Sequence, residues 1–350
     1  RAPFDFAQGK HHMFIRSKLN PILKPSKRPW ESRKVYNPAA FYENGAYHLF
    51  YRANGRRWTS YIGHAISKDG ERFTRFSKPL ILPEHRYEER GCEDPRIVKI
   101  GGTYFMTYAA LGRVAPEKQL LPRVAVAISK DLKHWKKYGP VLKSWDFYAA
   151  QGFVPWLEKR PHKKDLSGEW SKAAGMFPEK IGGKYWMLFG DMHIWLASSA
   201  DGKRWTPSRK PLIKSRGHGY FDEAFVENGP PPIRTDKGWL VLYHGINNKK
   251  TYSIGYALLN LRDPRKILYR SKKLVFEPTA RYELSGLVDI LPGGLETIAK
   301  LSPAKLKAFI KSAERKGIMP RVTFCNGATL VNDTLRIYYG ASDSVVCTAS

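Results

Sequence analysis

The feature that most constrains the fold is a two-strand pattern that occurs five times along the 350 residues. Each copy has a short apolar strand, a tight turn, and an aromatic strand in which apolar and polar residues alternate. The copies read "AFYENGAYHLFYRA" (40–53), "RIVKIGGTYFMTYAA" (96–110), "PEKIGGKYWMLFGD" (178–191), "PIRTDKGWLVLYHG" (232–245) and "GATLVNDTLRIYYG" (327–340). Asn-Gly, Gly-Gly or Asn-Asp between alternating strands is typical of a β-hairpin. The sequence therefore predicts five β-units.

A second pattern follows four of the hairpins and predicts two further strands in each unit. It passes through a Ser-x-Asp or Leu-Arg-Asp turn and occupies 62–81, 124–143, 194–213 and 253–275. Four strands a unit, five units and almost no helical periodicity predict an all-β fold, a five-bladed β-propeller around a central channel. The fifth unit lacks its second half, so we expect N-terminal residues to complete it. Residues 1–350 would then form one domain.

One segment departs from this rhythm. The stretch "LSPAKLKAFIKSAERKG" (301–317) has a Ser-Pro start, apolar residues at Leu306, Phe309 and Ile310, and Gly317 as a stop. This spacing predicts a short amphipathic helix inserted into the β fold. We expect it to lie over one face with a structural role, and a lid over a pocket is the alternative.

The chain is strongly basic, with 60 Lys and Arg against 31 Asp and Glu and a net charge of +29. Such an excess attracts nucleic acid, anionic membranes or acidic polysaccharides. The basic residues are spread over the whole length and lack the pattern of an RNA-recognition strand or a zinc finger. We therefore expect a solvated basic surface and no specific nucleic-acid partner. A scaffold that binds polyanions is kept as an alternative.

Cysteines and apolar runs exclude further classes. Cys92, Cys325 and Cys347 are odd in number and far apart, so they predict neither a disulfide framework nor a zinc site. No apolar run approaches the roughly 20 residues that span a bilayer, so no membrane span is expected. No leader pattern is visible. The cellular location stays open, with a periplasmic or secreted one slightly favoured over the cytoplasm.

Polar residues recur beside the ends of the predicted inner strands, which in a propeller meet at one funnel. The acidic pair in "ERGCEDPRIVKI" is the clearest case, since the proline after Asp94 fixes the backbone there. A structural ion pair between Asp94 and Arg96 is the alternative for this motif alone. The other candidates are Asn37, Arg52, Glu93, Asp191, Asp222, Glu223, Glu227, His244 and Asp343. Such polar groups with Tyr and Trp nearby favour a carbohydrate site.

Four stretches resemble glycoside hydrolase family 130, the β-mannoside phosphorylases and β-mannosidases with a five-bladed propeller. They are "EDPRIVKIGGTYFMTYAA", "MFPEKIGGKYWML", "ENGPPPIRTDKGWLVLYHG" and "FCNGATLVNDTLRIYYGASD", which follow the family's order and span nearly the whole chain. The resemblance implies that Asp94 is the general acid and acts through a hydroxyl of the mannosyl unit in the first subsite. It also implies that Asn37, Arg52 and Asp343 hold that unit, that Glu93 orients the site, and that no metal or cofactor is needed.

Departures from the family pattern bear on whether phosphate or water attacks the mannoside. A phosphorylase holds a phosphate dianion, for which arginines are suited. The family's phosphorylases place one arginine before the "FPEKI" stretch and another after the next strand. Here Trp170 or Ser171 and Gly190 stand at those places, with Lys172 nearby and His244 retained.

Glu227 also stands where phosphorylases resemble each other in having a small residue. A carboxylate there repels phosphate and can deprotonate water. We therefore expect an inverting β-mannosidase with Asp94 as acid, Glu227 as base and Glu223 as the substitute base. A carboxylate that caps the Pro-Pro-Pro turn is the structural alternative for Glu227.

Two alternative functions are retained. One is a β-mannoside phosphorylase that takes inorganic phosphate as a partner and releases mannose 1-phosphate, with Lys172 and the basic surface replacing the arginines. The other is a non-catalytic carbohydrate-binding propeller. The substrate in the first two cases is a manno-oligosaccharide, and β-1,2 and β-1,4 linkages both stay open.

Overall fold

The computed structural model describes residues 14–55, 59–114, 119–145, 170–285, 301–305, 307–308, 311 and 320–350. Over these ranges the chain is nearly all β, as expected. Its named helices are short: two 3₁₀-helices, Pro29–Glu31 and Arg86–Glu88, and the helix α1, Arg281–Leu284. Among the described residues, no helix has the length and apolar character needed to cross a bilayer.

The first sheet consists of two four-stranded antiparallel units. The first unit contains β1 (Lys34–Glu43), β2 (Ala46–Asn54), β3 (Ser60–Ser67) and β4 (Thr74–Arg75). The second contains β5 (Gly91–Ile100), β6 (Thr103–Val114), β7 (Gln119–Ser129) and β8 (Trp135–Pro140). A single parallel pairing, Ser60 with Gly91, joins the two units.

The next two sheets continue this arrangement. The third unit contains β9 (Gly175–Met176), β10 (Tyr185–Phe189), β12 (Trp195–Ser199) and β13 (Thr206–Pro207). The fourth contains β14 (Phe225–Asn228), β15 (Ile233–Thr235), β16 (Gly238–Ile246), β17 (Tyr252–Leu259) and β18 (Ile267–Arg270). The two-residue strand β11 (Asp191–Met192) leaves the third unit and pairs with β14.

The last sheet contains residues from both ends of the described chain. It consists of β19 (Thr323–Val331), β20 (Thr334–Ala341) and β21 (Val345–Ala349). Antiparallel bridges join Arg16 to Ala349 and Leu23 to Val346 on the free side of β21. Residues 15–23 thus pair with the fifth unit. The expectation that this unit lacks its whole second half is wrong, because β21 follows β20 directly; closure of a ring by the N-terminal residues stays a prediction.

The turns explain why these segments form hairpins. Both turn residues have positive φ at Asn44-Gly45, Gly101-Gly102, Gly182-Gly183 and Asn332-Asp333. Two consecutive positive φ values define the turn whose twist matches that of paired strands, and Gly and Asn adopt them at the lowest cost. The turn residues read from the sequence thus set the register of four of the five hairpins.

The Ser-x-Asp steps form the same hydrogen-bonded turn three times. In the first copy Asp69 Oδ1 accepts hydrogen bonds from the backbone N–H groups of Glu71 and Arg72, at 2.9 and 2.8 Å. Ser67 Oγ accepts another from Gly70 N at 2.9 Å. Equivalent bonds recur around Asp131 and Asp201. The side chain replaces the backbone partners that the turn leaves open.

Five hydrophobic clusters make up the core, and each lies between two units. The first and second units share the cluster with Phe50 and Met106, and the second and third share the one with Phe105 and Trp195. The third and fourth meet around Phe177 and Trp239. The fourth and fifth meet around Phe276 and Tyr339, and the fifth returns to the first at Tyr338 and Leu49. Each large apolar side chain buried in this way contributes about 2 kcal/mol.

The predicted helix over 301–317 falls only partly within the described residues. Positions 303–305, 307, 308 and 311 are helical. Leu306, Phe309, Ile310 and Gly317, on which the expectation depended, lie outside the described residues. A covering or lid role for this segment stays a prediction.

Candidate active site

Three β-bulges, within β1, β5 and β19, re-aim polar side chains of the first, second and fifth units. The register shifts between Tyr36 and Ala39 in β1, between Glu93 and Arg96 in β5, and between Cys325 and Gly327 in β19. Asn37 and Asp94 lie in the first two bulges with φ of 47° and 50°, each followed by proline. A bulge turns the extra residue out of the strand's alternation and re-aims its side chain. Asn37 and Asp94 are therefore placed side by side.

Asp94 is held by two donors. Asn37 Nδ2 donates to Asp94 Oδ1 at 2.9 Å, and Arg52 Nη1 donates to the same oxygen at 3.2 Å. The residue is 9% exposed. Burial alone would raise the pKa of this carboxyl group, but the Arg52 charge and the Asn37 hydrogen bond outweigh it and lower the pKa below its ordinary value.

Glu93 fixes the arginine that holds Asp94. Arg52 Nη2 donates to Glu93 Oε1 at 2.5 Å, and Ser60 Oγ donates to the same oxygen at 2.7 Å. The Arg52 guanidinium also lies over the Tyr36 ring, 4.7 Å from its centre. Sequence reasoning missed Ser60, because no motif marks a single serine at the start of β3. The orienting role expected of Glu93 agrees with these contacts.

A second group forms around Glu227 in β14. Asp191 of β11 is paired with Glu227 on one side, and His244 of β16 is paired with it on the other. Lys172 Nζ lies 3.3 Å from Glu227 Oε1 and 3.5 Å from Asp191 Oδ2. Trp170 Nε1 donates to both carboxylate oxygens of Asp191 at 3.2 Å. One ammonium group thus faces two carboxylates.

Glu227 is buried with little polar support. It is 1% exposed, and neither carboxylate oxygen accepts a hydrogen bond from the described residues. Burial, reinforced by the charge of Asp191 and only partly offset by Lys172, raises the pKa of Glu227 to about 7. A carboxylate with a pKa near neutrality is suited to taking up or releasing a proton.

His244 is a buried neutral imidazole. Cys325 N donates to His244 Nε2 at 2.8 Å, and the ring stacks on Phe324 with centres 4.2 Å apart. Burial and the nearby Arg96 charge lower the pKa of His244 to about 3. Because Nε2 accepts a hydrogen bond, the proton lies on Nδ1, which has no protein acceptor among the described residues.

Asp343 joins the first group from the opposite end of the chain. It lies in the turn between β20 and β21 with φ of 51° and is partly buried. Burial raises the pKa of its carboxyl group, while the charges of Lys34 and Arg52 lower it and that of Asp94 raises it further. Asn37, Arg52, Asp94 and Asp343 therefore share one electrostatic environment, although 306 residues separate the first from the last.

Comparison with known proteins places the chain in a family. Residues 15–291 match the family profile described as beta-1,4-mannooligosaccharide phosphorylase. The chain belongs to glycoside hydrolase family 130. It is 34% identical over 335 residues to a 1,2-beta-oligomannan phosphorylase of Thermoanaerobacter sp. (strain X514), covering 93% of both chains.

Two solved structures are similar to this family 130 chain over almost their whole length. A glycosyl hydrolase from Bacteroides ovatus has a TM-score of 0.75 and 28% identity, covering 97% of this chain and 94% of that one. The beta-1,2-mannobiose phosphorylase from Listeria innocua, in complex with beta-1,2-mannobiose, has a TM-score of 0.72 and 25% identity, covering 96% of each chain. The chain is therefore similar to one solved structure described as a hydrolase and to another described as a phosphorylase.

In this family 130 chain, other residues with structural contacts of their own occupy the positions where the family's phosphorylases have arginines. Trp170 binds Asp191, and Ser171 Oγ accepts a hydrogen bond from Val124 N at 3.1 Å. Gly190 has φ of 109°, and a Cβ there would lie 2.5 Å from the His193 carbonyl oxygen. Any side chain at Gly190 would require the backbone to move.

Two predicted site residues have partners away from both groups. Asp222 is fully buried and accepts hydrogen bonds from Arg216 Nε at 2.8 Å, Arg270 Nη2 at 2.6 Å and Tyr243 Oη at 2.9 Å. Glu223 accepts from the backbone N–H of Asn248 at 3.0 Å. These contacts give both residues a structural role in the segment before β14. The binding role of Asp222 and the substitute-base role of Glu223 stay predictions.

Arg96 does not form the predicted ion pair with the Asp94 carboxylate. Its guanidinium donates to backbone carbonyl oxygens instead, including that of Asp94 at 3.2 Å. The structural alternative for the Asp-Pro-Arg motif is therefore wrong in its partner, because the side chain of Asp94 turns toward Asn37 and Arg52.

One group of possible metal ligands lies outside the site, in the part of the chain that the structure describes. It consists of Glu84, His85 and Glu88. Lys137 Nζ lies 2.9 Å from Glu84 Oε2 and 2.6 Å from Glu88 Oε1. An ammonium group already compensates these two carboxylates, so the donor set does not require a metal ion.

Proposed function

We propose that this protein cleaves β-mannosides, with β-1,2-linked manno-oligosaccharides as substrates and Asp94 as the general acid. The observation that carries the proposal is the buried Asp94 in its bulge, held by Asn37 and Arg52. The 34% identity to a 1,2-beta-oligomannan phosphorylase supports the substrate class. Asn37, Arg52 and Asp343 would bind the mannosyl unit, whose hydroxyl groups take paired polar partners.

Asp94 must carry a proton to act as the general acid, but the substrate-free site favours its ionised form. The low pKa of Asp94 means that the carboxylate is ionised before substrate binds. A bound mannosyl unit would exclude water and compete for Arg52, and both effects raise a carboxyl pKa. A sugar hydroxyl that bridges Asp94 and the glycosidic oxygen would then deliver the proton to the leaving group.

We also propose that the five units form a five-bladed β-propeller with the site at its axis, as one domain. The support is the cyclic order of the hydrophobic clusters, in which each unit shares a core with the next and the fifth shares one with the first. Residues 15–23 beside β21 supply the closing strand. In a ring of this kind the inner strands converge, which brings the two carboxylate groups to one funnel.

Phosphorolysis is the route that the named activities of relatives support, and they support it better than the hydrolysis predicted from the sequence. The Thermoanaerobacter relative and the Listeria structure are both named as phosphorylases. On this route Lys172 and the Nδ1–H of His244 would donate to phosphate. The products would be mannose 1-phosphate and a shortened oligosaccharide.

Hydrolysis is a second candidate, favoured by the charges around Glu227. One lysine faces both Glu227 and Asp191, so a phosphate dianion would meet two carboxylates. Glu227 has no hydrogen bond from the described protein, and its pKa is about 7. Such a carboxylate can deprotonate a water that attacks from the side opposite the leaving group, as an inverting glycosidase requires.

One assay tests the proposal and separates the routes. β-1,2-Mannobiose and β-1,4-mannobiose are each incubated with and without inorganic phosphate, and the products are followed by NMR. Mannose 1-phosphate formed only with phosphate establishes phosphorolysis, and α-mannose formed without phosphate establishes inverting hydrolysis. Binding of either sugar without cleavage under any condition would contradict the proposed function and favour a carbohydrate-binding module.

A further inference from the structure

Arg96 is a buried cation that binds backbone rather than carboxylates. The residue is 1% exposed. Its Nε donates to Gly229 O at 2.6 Å, its Nη2 to Asn228 O at 2.7 Å, and its Nη1 to Asp94 O at 3.2 Å. Leaving a guanidinium in the interior costs several kcal/mol unless its donors are used. Three carbonyl oxygens offset that cost, and they belong to two different sheets.

The three carbonyl groups lie beside the two catalytic candidates. Asp94 O belongs to the β5 bulge that presents the Asp94 carboxyl group. Asn228 O and Gly229 O follow directly on Glu227 at the end of β14. Gly229 packs so closely that a Cβ would lie 2.4 Å from Leu242 O, so this backbone has little freedom to shift. A rigid planar side chain thus spans the backbone of both carboxyl-bearing segments.

We propose that Arg96 is a positioning residue that sets the separation of the Asp94 and Glu227 carboxyl groups by tying the β5 bulge to the end of β14. The inference rests on the proposed function and concerns the same site. It assigns Arg96 no contact with substrate. Small displacements of reacting groups cost large factors in rate, so a brace between them affects turnover more than affinity.

The charge of Arg96 adds a second effect at the same place. It lies close enough to lower the pKa of Glu227 and Asp94 and to help hold His244 neutral. The charged or titratable groups that face Glu227 are Lys172 before β9, Asp191 of β11, Arg96 and Asp94 of β5, His244 of β16 and Tyr252 of β17. Removing the Arg96 charge should therefore move the acid limb of the pH–rate profile to higher pH.

Two variants separate geometry from charge. Arg96→Lys keeps the charge but cannot bind three carbonyl groups in one plane. We expect it to lower kcat by about 10- to 100-fold with KM for β-1,2-mannobiose changed less than about threefold, and to leave the acid limb in place. Arg96→Gln should lower kcat similarly and also shift the limb upward.

Arg16→Lys is the matched control, because Arg16 is also a structural arginine. It donates to both carboxylate oxygens of Glu283, at 2.8 and 2.9 Å, and joins the N-terminal segment to α1. We expect a lower melting temperature for this variant with unchanged kcat and pH profile. Melting temperatures of all variants identify those that fold.

The outcomes keep the two proposals apart. If the wild type cleaves mannosides and both folded Arg96 variants keep kcat within about twofold and the same pH profile, the role assigned to Arg96 is wrong and the proposed function stands. If the wild type cleaves no mannoside, the proposed function fails. Crystal structures then decide the Arg96 question: an unmoved Asp94 bulge and 228–229 backbone in Arg96→Lys contradict the brace, and a changed Asp94–Glu227 separation supports it.

Discussion

The pairs Glu93-Asp94 and Glu227-Asn228 occupy corresponding places in the second and fourth units. Their glutamates differ in how many hydrogen bonds the carboxylate accepts. Glu93 is paired with Ala109 and Glu227 with His244, in each case the residue after the tyrosine of the aromatic strand. Glu93 accepts two short hydrogen bonds from charged or hydroxyl donors. Glu227 accepts none from the described residues. The repeat fixes the position of a carboxylate, and the neighbouring residues decide how many hydrogen bonds that carboxylate accepts.

The residues that follow the two glutamates also differ in their contacts. Asp94 faces Asn37 and Arg52, whereas the Asn228 amide donates to Ala173 O at 3.0 Å and is fully buried. In the second unit Glu93 anchors Arg52, and Asp94 is the residue proposed to contact substrate. In the fourth unit Asn228 anchors the backbone at Ala173, and Glu227 is the residue proposed to react. Two copies of one repeat thus supply the two carboxyl groups from different positions.

The largest expected effect comes from making the two pairs alike. Asp94→Asn gives Glu-Asn in both units and removes the proposed acid while keeping an acceptor for Asn37 and Arg52. We expect kcat for β-1,2-mannobiose to fall about 1,000-fold, since general acid catalysis contributes about 10²- to 10⁴-fold. An aryl β-mannoside with an acidic phenol as leaving group needs little protonation and should lose far less. A loss below tenfold with mannobiose would remove Asp94 from the mechanism.

Glu227→Gln tests whether the free glutamate reacts. If water is the acceptor, kcat should fall about 100-fold or more, with KM changed little. A base acts when deprotonated, so wild-type hydrolysis should rise as pH increases through about 7 and fall below it. The variant should lose this limb in a pH–rate series. Phosphate-dependent cleavage that survives or improves in the variant would instead support phosphate as the acceptor.

Lys172→Gln tests the role of the positive charge that faces Glu227, as Arg52 faces Glu93. Lys172 lowers the pKa of Glu227, so its removal should raise that pKa. We expect the acid limb of hydrolysis to move to higher pH by about one unit, which is about a fivefold loss at pH 7. The pH–rate profile measures this directly. An unmoved limb would mean that Glu227 is not the group that titrates.

Glu93→Gln should have the smallest effect on the reaction. The change weakens the anchor of Arg52 and lowers the free energy of unfolding by about 2 kcal/mol, because hydrogen bonds to charged groups contribute about 1.5 to 3 kcal/mol. We expect less than a tenfold loss in kcat. Ser60→Ala, which removes only the 2.7 Å bond, is the milder partner. Urea unfolding and steady-state kinetics check both. A loss as large as that of Asp94→Asn would contradict the supporting role of Glu93.

The parts of the fold that depend on neighbours in sequence were predictable. Gly101-Gly102 and Asn332-Asp333 mark their turns because Gly, Asn and Asp tolerate positive φ, and Pro95 fixes the backbone after Asp94. The incomplete last unit also pointed to the N-terminal segment, and Leu23 does pair with Val346, although β21 supplies part of the half that the sequence seemed to lack. These signals lie within a few residues of the feature or follow from counting repeats.

The contacts that assemble the site were less predictable, because they join distant residues. The sequence alone suggests Asp94 as the partner of Arg96, but the partners Asn228 and Gly229 lie 132 and 133 positions away. No motif indicates that Trp170 binds Asp191. Asp222 is a carboxylate beside one of the expected strands, but it forms ion pairs with Arg216 and Arg270. Residue type narrows the candidates, and three-dimensional packing selects among them.

The pairing of residues 15–23 with β21 has a consequence for synthesis of the chain. The edge that receives Leu23 is formed by Val346, so residues 15–23 can pair there only after residue 346 has emerged from the ribosome. Asp343, in the turn between β20 and β21, is translated only shortly before Val346. Asn37, Arg52 and Asp94 can be translated and folded within their sheets long before then. The site proposed around Asp94 is therefore complete only after residue 343 has been translated.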